Sequence, residues 1–203
     1  MKEIDKIKES YFDLFMEQFP SLSQEAKEFT RSFLKIEKYK KREFLYKRGE
    51  VQKEIGYICN GLLRKYYINQ KGSEIITGFS REKEYATDYP SFLNQKPSKY
   101  YLQFLEPSVI VKMPYKKLQE AYKRYKENEM YGRLVAEKVI TRETDRVESL
   151  LFESAEQRYL NFLDENENII NRISLTHLAS YLGIERQSLS RIRSKLAKKN
   201  YVT

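Results

Sequence analysis

The stretch that decides the reading is ISLTHLASYLGIERQSLSRIRSKL, Ile173 to Leu196. Ser174 can cap a helix in which Leu175, Leu178, Ala179 and Leu182 fall at i, i+3, i+4 and i+7, one face of a helical period. Gly183 then permits the left-handed backbone that ends a helix and reverses the chain. Ile184 is placed to fill the corner, and Leu189, Ile192 and Leu196 repeat the apolar spacing for a second helix. Ala179 is small where two steeply crossing helices must touch. The pattern predicts a helix-turn-helix.

The outward face of the second helix carries Arg186, Gln187, Ser190 and Arg191, with Arg193 and Lys195 toward its flank. Arginine matches the O6 and N7 acceptors of guanine, glutamine pairs with adenine, and serine serves a base edge or a phosphate. These side chains suit a major groove, near the helix N-terminus by which a recognition helix enters. A solvated helix would mix Glu with Lys. Here the one acid is Glu185, at the start, where the helix dipole favours it. From residue 171 to 203 there are four Arg and three Lys against one Glu, a net of six in a chain whose total is +9. A terminal block of this kind suits a polyanion, nucleic acid before membrane.

Working back toward the N-terminus, SAEQRYLNFLDENENII reads as a helix led by Ser154. From Glu127 to about Leu151 the only Gly or Pro is Gly132, and Tyr131, Leu134, Val135, Val139, Val147, Leu150 and Leu151 leave an apolar stripe on a long helix. Such a stripe packs either on its own domain or on a twin helix. YKKLQEAYKRY is a short helix after Pro114. Between Glu37 and Pro114 short runs rich in Tyr, Ile and Phe are punctuated by Gly49, Gly56, Gly61 and Gly72, with turn signals at Asn60–Gly61 and Lys71–Gly72. Strands at this spacing imply an antiparallel roll or barrel. Residues 1 to about 38 read as helical, with Ile7, Phe12, Phe15 and Phe19 near one face and Ser23 capping a second helix. Seventeen Tyr and eleven Phe, with no Trp, fit tyrosine-rich β structure.

LTHLASYLGIERQSLSRIRSKL resembles the helix-turn-helix of the cyclic AMP receptor protein/fumarate–nitrate regulator (CRP/FNR) superfamily, with RQSLSR where that family has its R-E-T-V-S-R type of recognition run. GEVQKEIGYICNGLLRKYYINQKGSEIITGF looks like the early strands of the family's cyclic-nucleotide-binding roll, and KPSKYYLQFLEPSVIVKMPYKKL like its closing strands. The resemblance implies an α+β fold. It comprises an N-terminal antiparallel β-roll (a double-stranded β-helix, cyclic-nucleotide-binding-like) with flanking helices over 1–126, a dimerisation helix over 127–153, and a helix-turn-helix domain over 154–203. It implies that Arg186, Gln187 and Arg191 contact bases and that Ser188 and Ser190 lie among the phosphate contacts. It also settles the long helix in favour of a twin-helix seam. The expected partners are double-stranded DNA and a second copy of the chain, with RNA polymerase and an unidentified small-molecule effector as further candidates.

Two departures from the family pattern stand out. The family's cassette has a G-E-L that holds the ribose and an R-S/T that clamps the cyclic phosphate. Aligned on Pro97 and Glu106, this chain has Thr87, Asp88 and Tyr89 for the first and Ser98–Lys99 for the second. Lys99 is not the bidentate fork that a buried phosphate needs, so no tight cyclic AMP binding is expected. The residues that remain as an effector pocket are Thr87, Asp88, Ser98 and Lys99. The sequence also stops at Thr203, where the family usually adds a β-hairpin wing. Either phosphate anchoring rests on Lys195, Lys198, Lys199 and the preceding helices, or the sequence is truncated before the wing.

Other functions fit less well. Cys59 is the lone cysteine, which excludes an internal disulfide and a cluster held by this chain's own thiolates, and fits a reducing, cytoplasmic setting. It reads as a small buried hydrophobe in a strand. His177, the lone histidine, reads as a surface or phosphate contact. Zinc fails on ligand count, no cofactor is expected, and no apolar run is long enough to span a bilayer. Rolls with metal-dependent chemistry cluster His and Glu, which this roll does not. Ser98 beside Lys99 is not a nucleophile pair, because strand neighbours face opposite sides. The contrasting readings are an interaction adaptor and a constitutive binder with a degenerate, ligand-free roll filled by its own tyrosines.

Overall fold

The computed structural model describes residues 2–200, with side chains from 9 to 198, and places eight strands in two four-stranded sheets among those residues. The strands are β1 (Lys35–Tyr39), β2 (Phe44–Tyr46), β3 (Glu54–Asn60), β4 (Leu63–Ile68), β5 (Glu74–Ser80), β6 (Tyr85–Ala86), β7 (Tyr101–Phe104) and β8 (Ser108–Pro114). One sheet runs β1-β8-β3-β6 and the other β2-β7-β4-β5, the antiparallel roll that the strand spacing predicts. The turn at Asn60–Gly61 carries the chain from the first sheet into the second. The turn at 69–73 closes the β4–β5 hairpin, where Asn69 Oδ1 accepts from the backbone N–H groups of Lys71 and Ser73 at 2.9 and 3.0 Å.

Helices α1 (Lys2–Met16) and α2 (Gln24–Phe33) precede the roll, and Ser23 caps α2 by accepting from Ala26 N. The helical expectation for residues 1–38 runs too far. Residues 35–39 are an edge strand, with Ile36 opposite Val111 and Lys38 opposite Val109. KIEKY has no local strand signal strong enough to announce this; its partner lies some seventy residues on, and sheet pairing overrides propensity. Phe15 and Phe19 are buried as the helical face requires, although Phe19 lies in the turn after α1, and the side chain of Ile7 lies outside the described residues. Between β6 and β7 the chain forms the short helix α3 (Tyr89–Asn94), with Pro90 in its first turn.

The remaining elements are α4 (Tyr115–Arg124), α5 (Lys126–Phe152), α6 (Ala155–Glu165), a 3-10 turn (Ile170–Arg172), α7 (Leu175–Leu182) and α8 (Arg186–Asn200). The chain forms two compact units, Met1–Lys65 with Phe79–Ile140, and Tyr66–Gly78 with Thr141–Thr203, so the division falls inside α5. In the first unit Leu45, Ile58, Leu63, Leu102, Phe104 and Ile110 fill the roll, while Phe15, Phe33, Ile55, Phe92 and Met113 join the flanking helices to it. In the second, Tyr159, Phe162, Ile169, Leu178, Leu182 and Leu189 make a small helical core. Along α5, large apolar side chains stay exposed: Leu134, Val147, Leu150 and Leu151 of the sequence stripe, joined by Met130, Ile140 and Phe152. No helix among the described residues is long and apolar enough to cross a membrane.

Candidate nucleic-acid interface

The C-terminal hairpin of helices is built by local chemistry. Ser174 Oγ accepts from His177 N at 3.2 Å, which satisfies one of the orphan donors at the start of α7. Gly183 sits at φ +68°, and the N–H of Ile184 reaches back to Ala179 O at 3.1 Å, the closing bond of a Schellman turn. The turn also leaves little room: a Cβ on Gly183 would lie 3.2 Å from Leu150 Cδ2. Ala179 is 2% exposed and Leu189 fully buried, so the small-residue crossing and the first anchor of α8 stand as read. Ile192 and Leu196 are only half-buried.

The hairpin is also held from outside. Arg146 of α5 donates to Tyr181 O and lies over the Tyr181 ring, its Cζ 4.1 Å from the centroid. Arg158 of α6 donates through Nε to Leu182 O at 2.9 Å and through Nη1 to Glu153 O at 2.6 Å. These two guanidinium groups therefore take carbonyls of the last turn of α7, which have no intrahelical donor of their own. Burial lowers the pKa of Arg146 from its usual value, and the Tyr181 and acidic neighbours push it back. Neither arginine shows in the sequence pattern, because a backbone carbonyl leaves no trace in composition.

On the opposite side, Arg186, Gln187, Ser190, Arg191, Arg193 and Lys195 are exposed and Ser188 is half-buried. Arg191, Ser194, Lys195 and Lys198 line a shallow open depression. Ser190 Oγ donates to Arg186 O at 3.1 Å, so this hydroxyl is tied to its own helix. Lys195 Nζ meets Glu156 Oε2 at 2.6 Å; with Lys195 exposed and Glu156 half-buried the pair contributes little to stability, but a phosphate at Lys195 must displace a carboxylate. The side chain of Lys199 lies outside the described residues. Ser180, by contrast, faces strand β5: its hydroxyl accepts from Ile76 N at 3.0 Å and donates to Glu74 O at 3.1 Å.

In the roll, three of the four effector-pocket residues come together and one does not. Ser98 Oγ donates to Asp88 Oδ2 at 2.7 Å, both residues being buried. Gln52, which the sequence reading does not single out, is fully buried beside them. Its Nε2 donates to Thr87 Oγ1 at 3.0 Å, and its Oε1 accepts from Asp88 N at 2.9 Å. Lys99 is exposed and takes no part. An anion here would meet the buried Asp88 with no cationic side chain in the network to answer it. Cys59 is buried, its thiol pushed up to about 11 by desolvation, which makes it a poor nucleophile or ligand.

Comparison with known proteins now bears on these two parts. The cyclic nucleotide-binding domain family matches residues 36–125. Electron transport regulator A of Shewanella oneidensis is 24% identical over 176 residues, which is 80% of this chain and 68% of that protein. The structure of FixK2 from Bradyrhizobium japonicum aligns with a TM-score of 0.74 at 16% identity, over 82% of this chain and 86% of that one. The c-di-GMP responsive global regulator CLP of Xanthomonas campestris aligns with a TM-score of 0.66 at 15% identity, over 88% of this chain and 93% of that one. Residues 36–125 thus match the cyclic nucleotide-binding domain family, and the chain shares the fold of the FixK2 and CLP structures.

Proposed function

We propose that this chain is a DNA-binding transcription regulator of the CRP/FNR type. The observation that carries the reading is the free face of α8, where Arg186, Gln187 and Arg191 stand exposed on a helix whose opposite side is anchored by Leu189. Regulators are also what two of the similar proteins are named as. In this reading residues 1–126 are the sensor, 127–153 the dimerisation helix and 154–203 the DNA-binding domain. Two copies place their α8 helices in successive major grooves about 34 Å apart on a pseudo-palindrome. The test is a mobility shift on genomic fragments, with binding that falls steeply as salt rises. Absence of any shift would point instead to an interaction adaptor that has lost DNA binding.

The seam is argued from the exposed apolar side chains of α5. Val147 is 54%, Leu151 71% and Phe152 80% exposed, more apolar surface than one helix end leaves bare without a partner. Replacing Val147 and Leu151 together by Asp is expected to convert the dimer to monomer in sedimentation, with loss of specific DNA binding and no loss of helical content. A monomeric parent protein would refute the arrangement.

Control by cyclic AMP is not part of the proposal. The Gln52, Thr87, Asp88 and Ser98 network satisfies itself, and opening it to a phosphate would bring a second negative charge against Asp88. Calorimetry with cyclic AMP or cyclic GMP is expected to show no micromolar binding. The same observation favours a constitutive binder as the second reading.

A further inference from the structure

The last turn of α7 leaves the carbonyls of Ala179, Ser180, Tyr181 and Leu182 to be satisfied at the helix end. The turn itself answers the first two. The N–H of Gly183 donates to Ser180 O at 3.2 Å and that of Ile184 to Ala179 O at 3.1 Å. Guanidinium groups from two other helices answer the rest: Arg146 of α5 takes Tyr181 O, and Arg158 of α6 takes Leu182 O.

Hydrogen-bond accounting alone does not demand this arrangement. Tyr181 and Arg146 are half-buried, and at such a helix end water suffices for a carbonyl. What a guanidinium adds is geometry. Arg146 spends a donor on the Tyr181 carbonyl while its plane lies over the Tyr181 ring, Cζ 4.1 Å from the centroid. One side chain thus holds both the backbone and the ring of the same residue, which fixes the distance and the rotation of α7 against α5. Leu150, one turn after Arg146 on the same face of α5, gives another point of contact, with its Cδ2 3.2 Å from where a Cβ on Gly183 would lie. From the far side the Tyr181 ring packs edge-on against Phe162 of α6, centroids 5.4 Å apart.

The clamp ties together the two parts that a dimeric reader needs. Arg146 and Leu150 share a stretch of α5 with the seam residues Val147 and Leu151, and α7 carries α8 through the turn at Gly183, all within the second compact unit. In a dimer the separation and phase of the two α8 helices then follow from the angle at which α7 leaves α5. We propose that Arg146 is a positioning residue for DNA reading, and that its grip on Tyr181 sets the half-site spacing the dimer accepts. The inference rests on the regulator reading and deepens it.

The test uses the full chain and a site that the parent protein selects from random duplexes, rebuilt with one base pair removed or added between its halves. Each change moves one half-site by about 3.4 Å along the axis and about 35° around it. The parent is expected to lose about fivefold or more on either change, because the duplex must bend or twist to absorb the mismatch. Arg146→Met keeps much of the aliphatic packing and removes the donors. It is expected to bind the three duplexes within about twofold of one another, and to bind an isolated half-site as the parent does. Arg146→Lys keeps a donor for the carbonyl but has no plane to lay over Tyr181, and should fall between. Arg142→Met makes the same charge change one turn earlier, on an exposed residue, and should keep the parent's preference. A parent indifferent to spacing, or an Arg146→Met protein with the parent's preference, overturns the proposal. Equal loss on half-sites and full sites also overturns it, since that marks a role in stability alone. Should Arg146→Met not fold, a parent-like preference in Arg146→Lys is the overturning result. A parent that selects no site refutes the regulator reading itself, an outcome distinct from a parent and a variant that read spacing equally well.

Discussion

Replacing Arg191 by alanine is expected to lower affinity for a specific duplex by at least about fivefold per half-site, while affinity for random duplex falls only a few-fold. A bidentate arginine–guanine contact discriminates by about 1–3 kcal/mol, and a dimer loses two of them. The free protein gives no reason for a stability loss. Arg191 is exposed, α8 keeps its buried anchor Leu189, and alanine is a good helix former, so the unfolding midpoint should barely move. Lys195→Ala makes the contrast. Its charge is exposed and paired with Glu156, away from the base-reading positions, and its loss should weaken all duplexes alike and flatten the salt dependence by about one ion. Competition binding of both variants at two salt concentrations separates the roles. Equal loss on specific and random DNA in Arg191→Ala would move this residue from the bases to the phosphates.

What could be seen in the sequence was what is local. The cap at Ser174, the apolar spacing of α7 and the reversal at Gly183 lie within ten residues of each other, and each is a rule about near neighbours. The same holds for Ser23 and Ser154, whose hydroxyls cap α2 and α6. The failures are all long-range. Strand β1 was hidden because KIEKY follows a helix with no turn residue between, and only its pairing with β8 makes it a strand. The pocket positions Thr87, Asp88 and Ser98 were legible by alignment of the roll, but Gln52 reaches them from 35 residues upstream of Thr87. That contact changes what the site can hold. Arg146 sits in TRETDR, a run that looks solvated, and only the fold reveals that it grips the end of α7. Exposure on α5 was legible in outline, since the stripe named Val147 and Leu151 but not Ile140 or Phe152.

Replacing Gly61 by alanine should cost the roll a large share of its stability, and replacing Gly72 should not. Both glycines have positive φ, +114° and +79°, so each pays a backbone penalty with any other residue, of order 1–3 kcal/mol. They differ in their surroundings. A Cβ on Gly72 meets nothing within 4 Å, whereas a Cβ on Gly61 would lie 2.0 Å from Ser108 Oγ, 2.5 Å from its Cβ and 2.8 Å from its Cα. Turning the Ser108 hydroxyl relieves only the first of these, and would break its bond to Glu106 O at 2.9 Å. The backbone at Gly61 has no freedom to retreat, because its N–H is held by Glu82 Oε1 at 2.7 Å and the next residue's carbonyl accepts from Leu105 N at 2.8 Å. Overpacking adds about 1–3 kcal/mol to the strain, and the sum is a large share of the roughly 5–15 kcal/mol that holds a domain together. Urea unfolding followed by circular dichroism should show a midpoint far below the parent for Gly61→Ala and a modest decrease for Gly72→Ala. If the two fall alike, the close approach of the 60–61 turn to Ser108 is not what makes glycine necessary there, and backbone strain alone explains both.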